Sequence, residues 1–363
     1  MPLTVNQHDA AVRTVQEIIA SIRPLSPEWQ DRAWAQLNDL TKPIGSLGRL
    51  ESIAARLAAI QETESPQCSN PAIFTLAADH GVTEEGVSAY PKTVTRQMVL
   101  TFLSGGAAIN VLCRHCGIDV VVVDMGVDGD FDDVTGLLKR KVAHGTRNMA
   151  HGPAMTEEEL QLALSAGIEL AAMAERQERK VIGAGEMGIG NSTAASALTA
   201  ALTGKPAAEV TGSGTGLDDA RVRHKIRVIE QALAVNRPDP ADPMDTLRKV
   251  GGLEVAGLTG LILGAATRRI AIVVDGFIST SAAAVACAVQ PRVSNFIFAA
   301  HRSIEPGHSA LLEFIQQKPL LDLEMRLGEG TGAALAIHII QAASKIMNEM
   351  ATFSSAGVSG ALA

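Results

Sequence analysis

Aromatic residues are scarce in this chain. They make up 3% of 363 residues, and Tyr90 is the lone tyrosine. That disfavours an aromatic-cored β-sandwich, whereas abundant alanine and 33 glycines suit helices packed closely on a sheet. Charge of one sign is never concentrated: the formal net charge is −8 and no Lys/Arg cluster exceeds a few residues, so the footprint of a nucleic-acid binder is missing. No apolar run approaches the ~20 residues that cross a bilayer. The opening residues, MPLTVNQHDAAVRTVQEII, lack the basic start and apolar stretch of a secretion signal. The expectation is a cytoplasmic protein with no nucleic-acid and no membrane partner. Four cysteines are too few and too scattered for a disulfide framework. Cys113 and Cys116 form the one close pair, without the further ligands that a zinc site needs. Their helical spacing in AAINVLCRHCG reads as buried thiols.

What is present is a hydrophobic content of 47%, enough for one large domain or two modest ones. From Asp9 to about Gln61 apolar residues recur three and four apart, with turn chemistry at Leu40 to Ser46, which predicts a helical N-terminal segment. Short apolar runs then alternate with longer helical ones: AIFTLAA (72–78), DVVVVD (119–124), KVIGAG (180–185), IAIVVD (270–275) and NFIFAA (295–300). None shows the in/out alternation of a half-exposed strand, so the pattern predicts an α/β fold with a parallel sheet buried on both faces. A last helix is expected from Thr331 to about Ala351, with a frayed tail. Polar residues and glycines follow every strand: Asp79 and His80, Asp124, Glu186, Asp275 and Gly276, then His301, Arg302 and Ser303. Ligands of open parallel sheets bind beyond the carboxyl ends of the strands, so one shared cleft is expected there.

Three motifs carry chemistry. In VIGAGEMGIGNSTAASAL (181–198) a buried strand ends in glycines, and Asn191, Ser192 and Thr193 open an Ala-rich helix. Exposed amides and the helix dipole suit a phosphate. The same segment meets the GxGxxG spacing through Gly183, Gly185 and Gly188, with Glu209 further on, so a dinucleotide-binding reading stays open. EVTGSGTGLDDARVRHK (209–225) repeats the glycine logic and adds Arg221, Arg223 and Lys225. Either a cation meets the phosphate, or the stretch is a solvated helix face; the second reading is favoured for Arg221 and Arg223, and neither for Lys225. In MRLGEGTGAALAIHII (325–340) Glu329 stands between two glycines before a helix. Local sequence leaves a dipole partner and a proton acceptor equally open. His80, His301 and His308 are further candidates for the cleft, although a lone histidine at a strand end is more often structural.

Taken together, these motifs resemble the nicotinate-nucleotide:dimethylbenzimidazole phosphoribosyltransferase family. Eight blocks match in order: LTKPIGSLGRLE (40–51), ADHGV (78–82), EEGVSAYPKTVT (84–95), VDMGVD (123–128), GAGEMGIGNSTAA (183–195), KVGGLEVAGLTGLILGAA (249–266), VDGFISTSAA (274–283) and RLGEGTGAALA (326–336). The resemblance implies a Rossmann-like, mostly parallel sheet flanked by helices over residues 67–339. It also implies a smaller helical domain built from both chain ends, 1–66 and about 340–363, and a homodimer whose partner helps wall the cleft. The implied reaction displaces nicotinate from nicotinate mononucleotide by a ring nitrogen of a benzimidazole-type base, giving an α-riboside 5′-phosphate for a cobamide lower ligand. Neither a metal nor a cofactor is implied.

Carried over by motif, Glu329 matches the family's general base and Glu186 a second active-site carboxylate. Gly188, Ile189, Gly190, Asn191, Ser192 and Thr193 match the phosphate cradle, while Lys225, Asp275, Gly276 and Ser303 match positions near the nucleotide. The base pocket is expected at His80, Tyr90, Met98 and Met187. Members that use dimethylbenzimidazole carry small or polar residues in place of Tyr90 and Met98, and Leu in place of Met187. A phenol and two thioethers make a differently shaped, softer lining, so dimethylbenzimidazole is not expected to be the sole or preferred substrate, and other benzimidazoles, a purine or a phenolic compound stay open. Two alternatives remain: a nicotinamide-dependent oxidoreductase resting on GAGEMG, and a nucleotide-binding homologue without chemistry, against which Glu329 speaks.

Overall fold

The structure is a computed structural model that describes residues 15–359 except Thr215. Its sheet is built from β1 (Ala72–Ala78), β2 (Asp119–Gly126), β3 (Leu137–Lys139), β4 (Val181–Met187), β5 (Ala271–Val274) and β6 (Ile297–Ala299). All neighbours pair in parallel, in the order β3-β2-β1-β4-β5-β6. Every residue of β1, β5 and β6 is buried, which is why these runs show no alternation. The five expected strands are all present. β3 escaped notice because three residues at a sheet edge make too short a run to register as a pattern.

Crossover helices cover both faces. α5 (Glu157–Arg176) starts at a capping box, in which the Thr156 hydroxyl accepts from the Glu159 amide and the Glu159 carboxylate from the Thr156 amide. It packs on α9 (Leu253–Thr267), almost all of which is buried. The two backbones approach so closely that a methyl group added at Gly167 would lie 1.9 Å from the Gly257 carbonyl oxygen, and one at Gly260 2.1 Å from that of Leu164. Small residues therefore set this helix–helix distance, as composition suggested. Among the described residues one stretch, Val94–Cys116, has the length and mean hydropathy (1.2) of a membrane span, although Arg96, Asn110 and Arg114 interrupt it as an apolar run. It is two helices, α3 (Val94–Ser104) and α4 (Ala108–Cys116), broken where Gly105 adopts φ 79°. Cys113 and Cys116 are buried in α4 as free thiols, the first pushed up to about 12 by burial.

The helical N-terminal segment has a second break that periodicity did not show. Helices run over 15–21, then α1 (Pro27–Asp39) and α2 (Arg49–Gln61). The expected start near Asp9 lies outside the described residues. At the other chain end, α12 (Thr331–Glu349) is continuous, beginning at the sheet and ending beside α1 and α2. The Ser344 hydroxyl and the Asn348 amide both donate to the Pro66 carbonyl, at 2.6 and 2.8 Å, and Gln36 donates to that of Met347 at 3.0 Å.

Strand order reverses between β1 and β4. That is the point where an open parallel sheet leaves a crevice beyond its carboxyl ends.

Candidate active site

The cavity at this crevice has a volume of about 600 Å³, within the range of small-molecule sites. One wall is a turn made of three left-handed residues, Gly328, Glu329 and Gly330, at φ 87°, 66° and 97°. Two of them are glycines, for which this costs little; Glu329 is strained by about 1–2 kcal/mol. Its surroundings over-determine the turn. The Thr75 hydroxyl donates to the Glu329 carbonyl at 3.0 Å, while the amides of Gly330 and Ala333 donate to the two Asp275 carboxylate oxygens at 3.1 and 2.9 Å. The Glu329 carboxylate, 5% exposed, accepts from the Ile109 amide at 3.2 Å. Ile109 lies in the first turn of α4, whose dipole favours the anion. Burial opposes it and, with the Asp275 charge, leaves Glu329 above the usual carboxylate range.

Glu186 near the end of β4 faces the same turn, since a methyl group on Gly328 would meet its Oε1 at 2.3 Å. Burial first, then the charges of Asp275 and Glu254, raise Glu186 to about 8 against a hydrogen bond from the Asn191 side-chain amide. A group near 8 holds its proton around neutral pH, so Glu186 stands beside the Glu329 carboxylate as a neutral acid.

Across the cavity, Gly188, Ile189, Asn191 and Ser192 line the start of α6 (Asn191–Thr203). The expected nest of bare amides is partly closed on itself. The Ile189 amide donates to Thr95 Oγ1, that of Asn191 to the Gly188 carbonyl and that of Thr193 to the Gly190 carbonyl, at 3.1, 3.0 and 3.0 Å. Gly190 and Thr193 shape this turn without lining the cavity. Positive charge comes from Lys225 of α7 (Asp219–Asn236), which stands fully buried behind Ser192 and donates to its hydroxyl at 2.8 Å. Burial pulls Lys225 down to about 8, with Glu305 pulling the other way. Glu305 also accepts from the Gly214 amide at 3.0 Å, fastening the second Gly-rich loop to this end.

Gly276, His301 and Ser303 line the cavity, and Asp275 lies beneath as the anchor of the Glu329 turn. Tyr90, Met98 and Met187 line the remaining side, with Tyr90 54% exposed at the rim. His80 is not with them. It is buried under Gly188 and held by Glu254 at 2.7 Å, because the strand-end turn points it back into the core. His308 is likewise structural: its Nδ1 accepts from the Ser303 amide at 2.8 Å, and burial, then His301 and Arg302, push it down to about 3. Arg221 and Arg223 are exposed on α7. Among the described residues no group of His, Cys, Asp and Glu is arranged to hold a metal. The cavity also includes Glu305, Phe277, Arg326 and Leu327, which sequence reasoning passed over. Arg326 and Leu327 stood inside the RLGEG block, and a cation beside a functional carboxylate was the signal to follow.

Residues 22–358 match the family model DBI_PRT, described as phosphoribosyltransferase. The chain belongs to this family. The nicotinate-nucleotide–dimethylbenzimidazole phosphoribosyltransferase of Geobacter metallireducens is 60% identical over 94% of this chain and 97% of its own length; that of Geobacter sulfurreducens is 55% identical over the same shares. CobT from Thermus thermophilus has the same fold, with a TM-score of 0.89 at 47% identity over 92% of this chain and 100% of that one. Family membership disfavours the oxidoreductase reading, and so does the geometry. Gly183 is not a phosphate-binding turn but a mid-strand residue, where an added methyl group would lie 2.2 Å from Ile73 Cδ1, and Glu209 is exposed away from the cavity lining.

Proposed function

We propose that this enzyme transfers the phosphoribosyl group of nicotinate mononucleotide to a benzimidazole-type base, as a cytoplasmic homodimer. The observation that carries this reading is a single cavity with a buried, backbone-fastened Glu329 at one wall and the Ser192–Lys225 pair behind the other. The phosphate is held at the Gly188–Ser192 turn and Gly214, with Lys225 neutralising it through Ser192. That grip sets the ribose anomeric carbon facing Glu329. Glu329 takes the proton from the ring N–H of the base as the nitrogen attacks. The bond from the anomeric carbon to nicotinate breaks, and its electron pair neutralises the departing pyridinium. Attack from the face opposite the leaving group gives the α-riboside. Proximity and one base suffice, because a cationic pyridinium is already a good leaving group.

The base is recognised by the Tyr90, Met98 and Met187 side of the cavity, and we infer that dimethylbenzimidazole is not its sole or preferred occupant. Purified enzyme given nicotinate mononucleotide and an equimolar panel of azoles, adenine and phenols is expected to release nicotinate and form several ribosides, identified by mass spectrometry. Dominant dimethylbenzimidazole product would overturn the specificity inference. For Glu329→Gln, kcat is expected to fall about 10²–10⁴-fold with little change in KM for the nucleotide; unchanged turnover would remove Glu329 from the reaction.

A further inference from the structure

A second cavity, of about 140 Å³, lies apart from the first, where α2 meets β6 and the segment that follows α11 (Pro306–Phe314). Arg49, Arg56 and Lys318 line it together with Ser52, Phe298 and Gln317, and none of its lining residues is acidic. Arg49 and Arg56 share one face of α2, seven residues apart. Arg49 is fastened to the segment opposite, donating to the carbonyls of Pro319 and Lys318 at 2.5 and 2.8 Å. Arg56 donates through Nη1 to Gln317 Oε1 at 3.1 Å, and its guanidinium lies 4.0 Å over the Phe298 ring. Its Nε and Nη2 are sealed from solvent and meet no acceptor. Stacking on an aromatic face eases the charge but supplies no lone pair for these donors. Burial, then the neighbouring Arg49, pull Arg56 down to about 10, so the protein strains against the cation it retains. Two like charges lining one notch with no acidic neighbour are unfavourable unless an anion joins them.

We propose that this notch binds one phosphate group, either the free ion or a monoester whose remainder projects into solvent. The volume admits a single tetrahedral oxyanion, so the rest of any ester must lie outside the notch, and charged N–H donors suit phosphate oxygens. The notch is connected to the active site. The Leu320 and Leu321 amides, just past Lys318, donate to the Ala300 carbonyl at 3.1 and 2.9 Å, and His301 and Ser303 of the large cavity follow directly in the chain.

Isothermal titration of the full-length protein with inorganic phosphate, and separately with ribose 5-phosphate, tests this beside Arg56→Gln and the surface change Lys318→Ala. Binding at the Ser192 end is common to all three proteins and cancels in the comparison. Loss of one phosphate site, or its weakening at least tenfold in Arg56→Gln and several-fold in Lys318→Ala, is the expected result. Equal binding of the ester shows that the group alone is read, and binding of inorganic phosphate alone assigns the free ion. Should Arg56→Gln not fold, Arg56→Lys and Lys318→Ala decide. Indistinguishable isotherms in every folded protein, or a notch that prefers nicotinate's planar carboxylate to phosphate, overturn the proposal.

Discussion

Glu186 and Glu329 are both glutamates at the end of a glycine-rich block, yet their surroundings assign them different protonation. Glu329 receives a helix-terminal amide, whereas Glu186 has the charges of both Asp275 and Glu254 as neighbours. Between the ordinary glutamate value of 4.5 and about 8 the folded chain therefore binds a proton at Glu186 that the unfolded chain has released. Stability falls as pH rises through that window, by up to about 1.4 kcal/mol per unit. His308 acts in the opposite sense only below its ordinary 6.5, and Lys225 only above about 8. Burial raises Asp275, Glu329 and Asp79 in the same sense as Glu186, so the difference between wild type and Glu186→Gln across pH 6.5 to 8 isolates the Glu186 share. Denaturant melts across that interval are expected to lose stability in the wild type, with a distinctly flatter profile in Glu186→Gln; equal slopes would mean that Glu186 is ionised throughout. That Glu186 and Glu329 belong to one cavity was legible from strand-end placement and the family resemblance. The direction in which His80 points was not, since its pairing with Glu254 joins residues far apart in the chain.

At the scale of elements, the strand β4 and the turn 328–330 are built for contact. A methyl group at Gly185 would lie 2.4 Å from the Glu329 carbonyl oxygen, a backbone atom with no freedom to retreat. Gly185→Ala is therefore expected to displace the turn. The protein should lose about 1–3 kcal/mol of stability, as overpacked sites do, and kcat should fall even though no functional group has been removed. Measuring both on the same sample separates this from simple unfolding, and a variant as stable and active as the wild type would refute the close-packing argument. The sequence made this turn visible as glycines flanking a glutamate, but not the reason for Gly185, which lies in a different block. Elements with long apolar runs were legible throughout. β3 and the break before Pro27 were missed because they rest on tertiary pairing and a few residues rather than on periodicity.

For the whole molecule, α12 ties the two chain ends to the sheet. Its first turn holds Asp275, and its last holds the carbonyl of Pro66 through Ser344 and Asn348. Removing both donors in Ser344→Ala/Asn348→Ala leaves a buried carbonyl unsatisfied and is expected to cost about 1–3 kcal/mol, read as a lower denaturant midpoint, with turnover of the folded fraction unchanged. A large loss of kcat at full folding would show that the far end of the helix governs the site. Nineteen helical residues make a rod about 28 Å long at 1.5 Å per residue. Because the turn carrying Glu329 is welded to one tip and the N-terminal helices to the other, those helices cannot swing aside without dragging that turn with them. The cavity instead meets solvent where Tyr90 and Leu327, 54% and 58% exposed, stand at its rim.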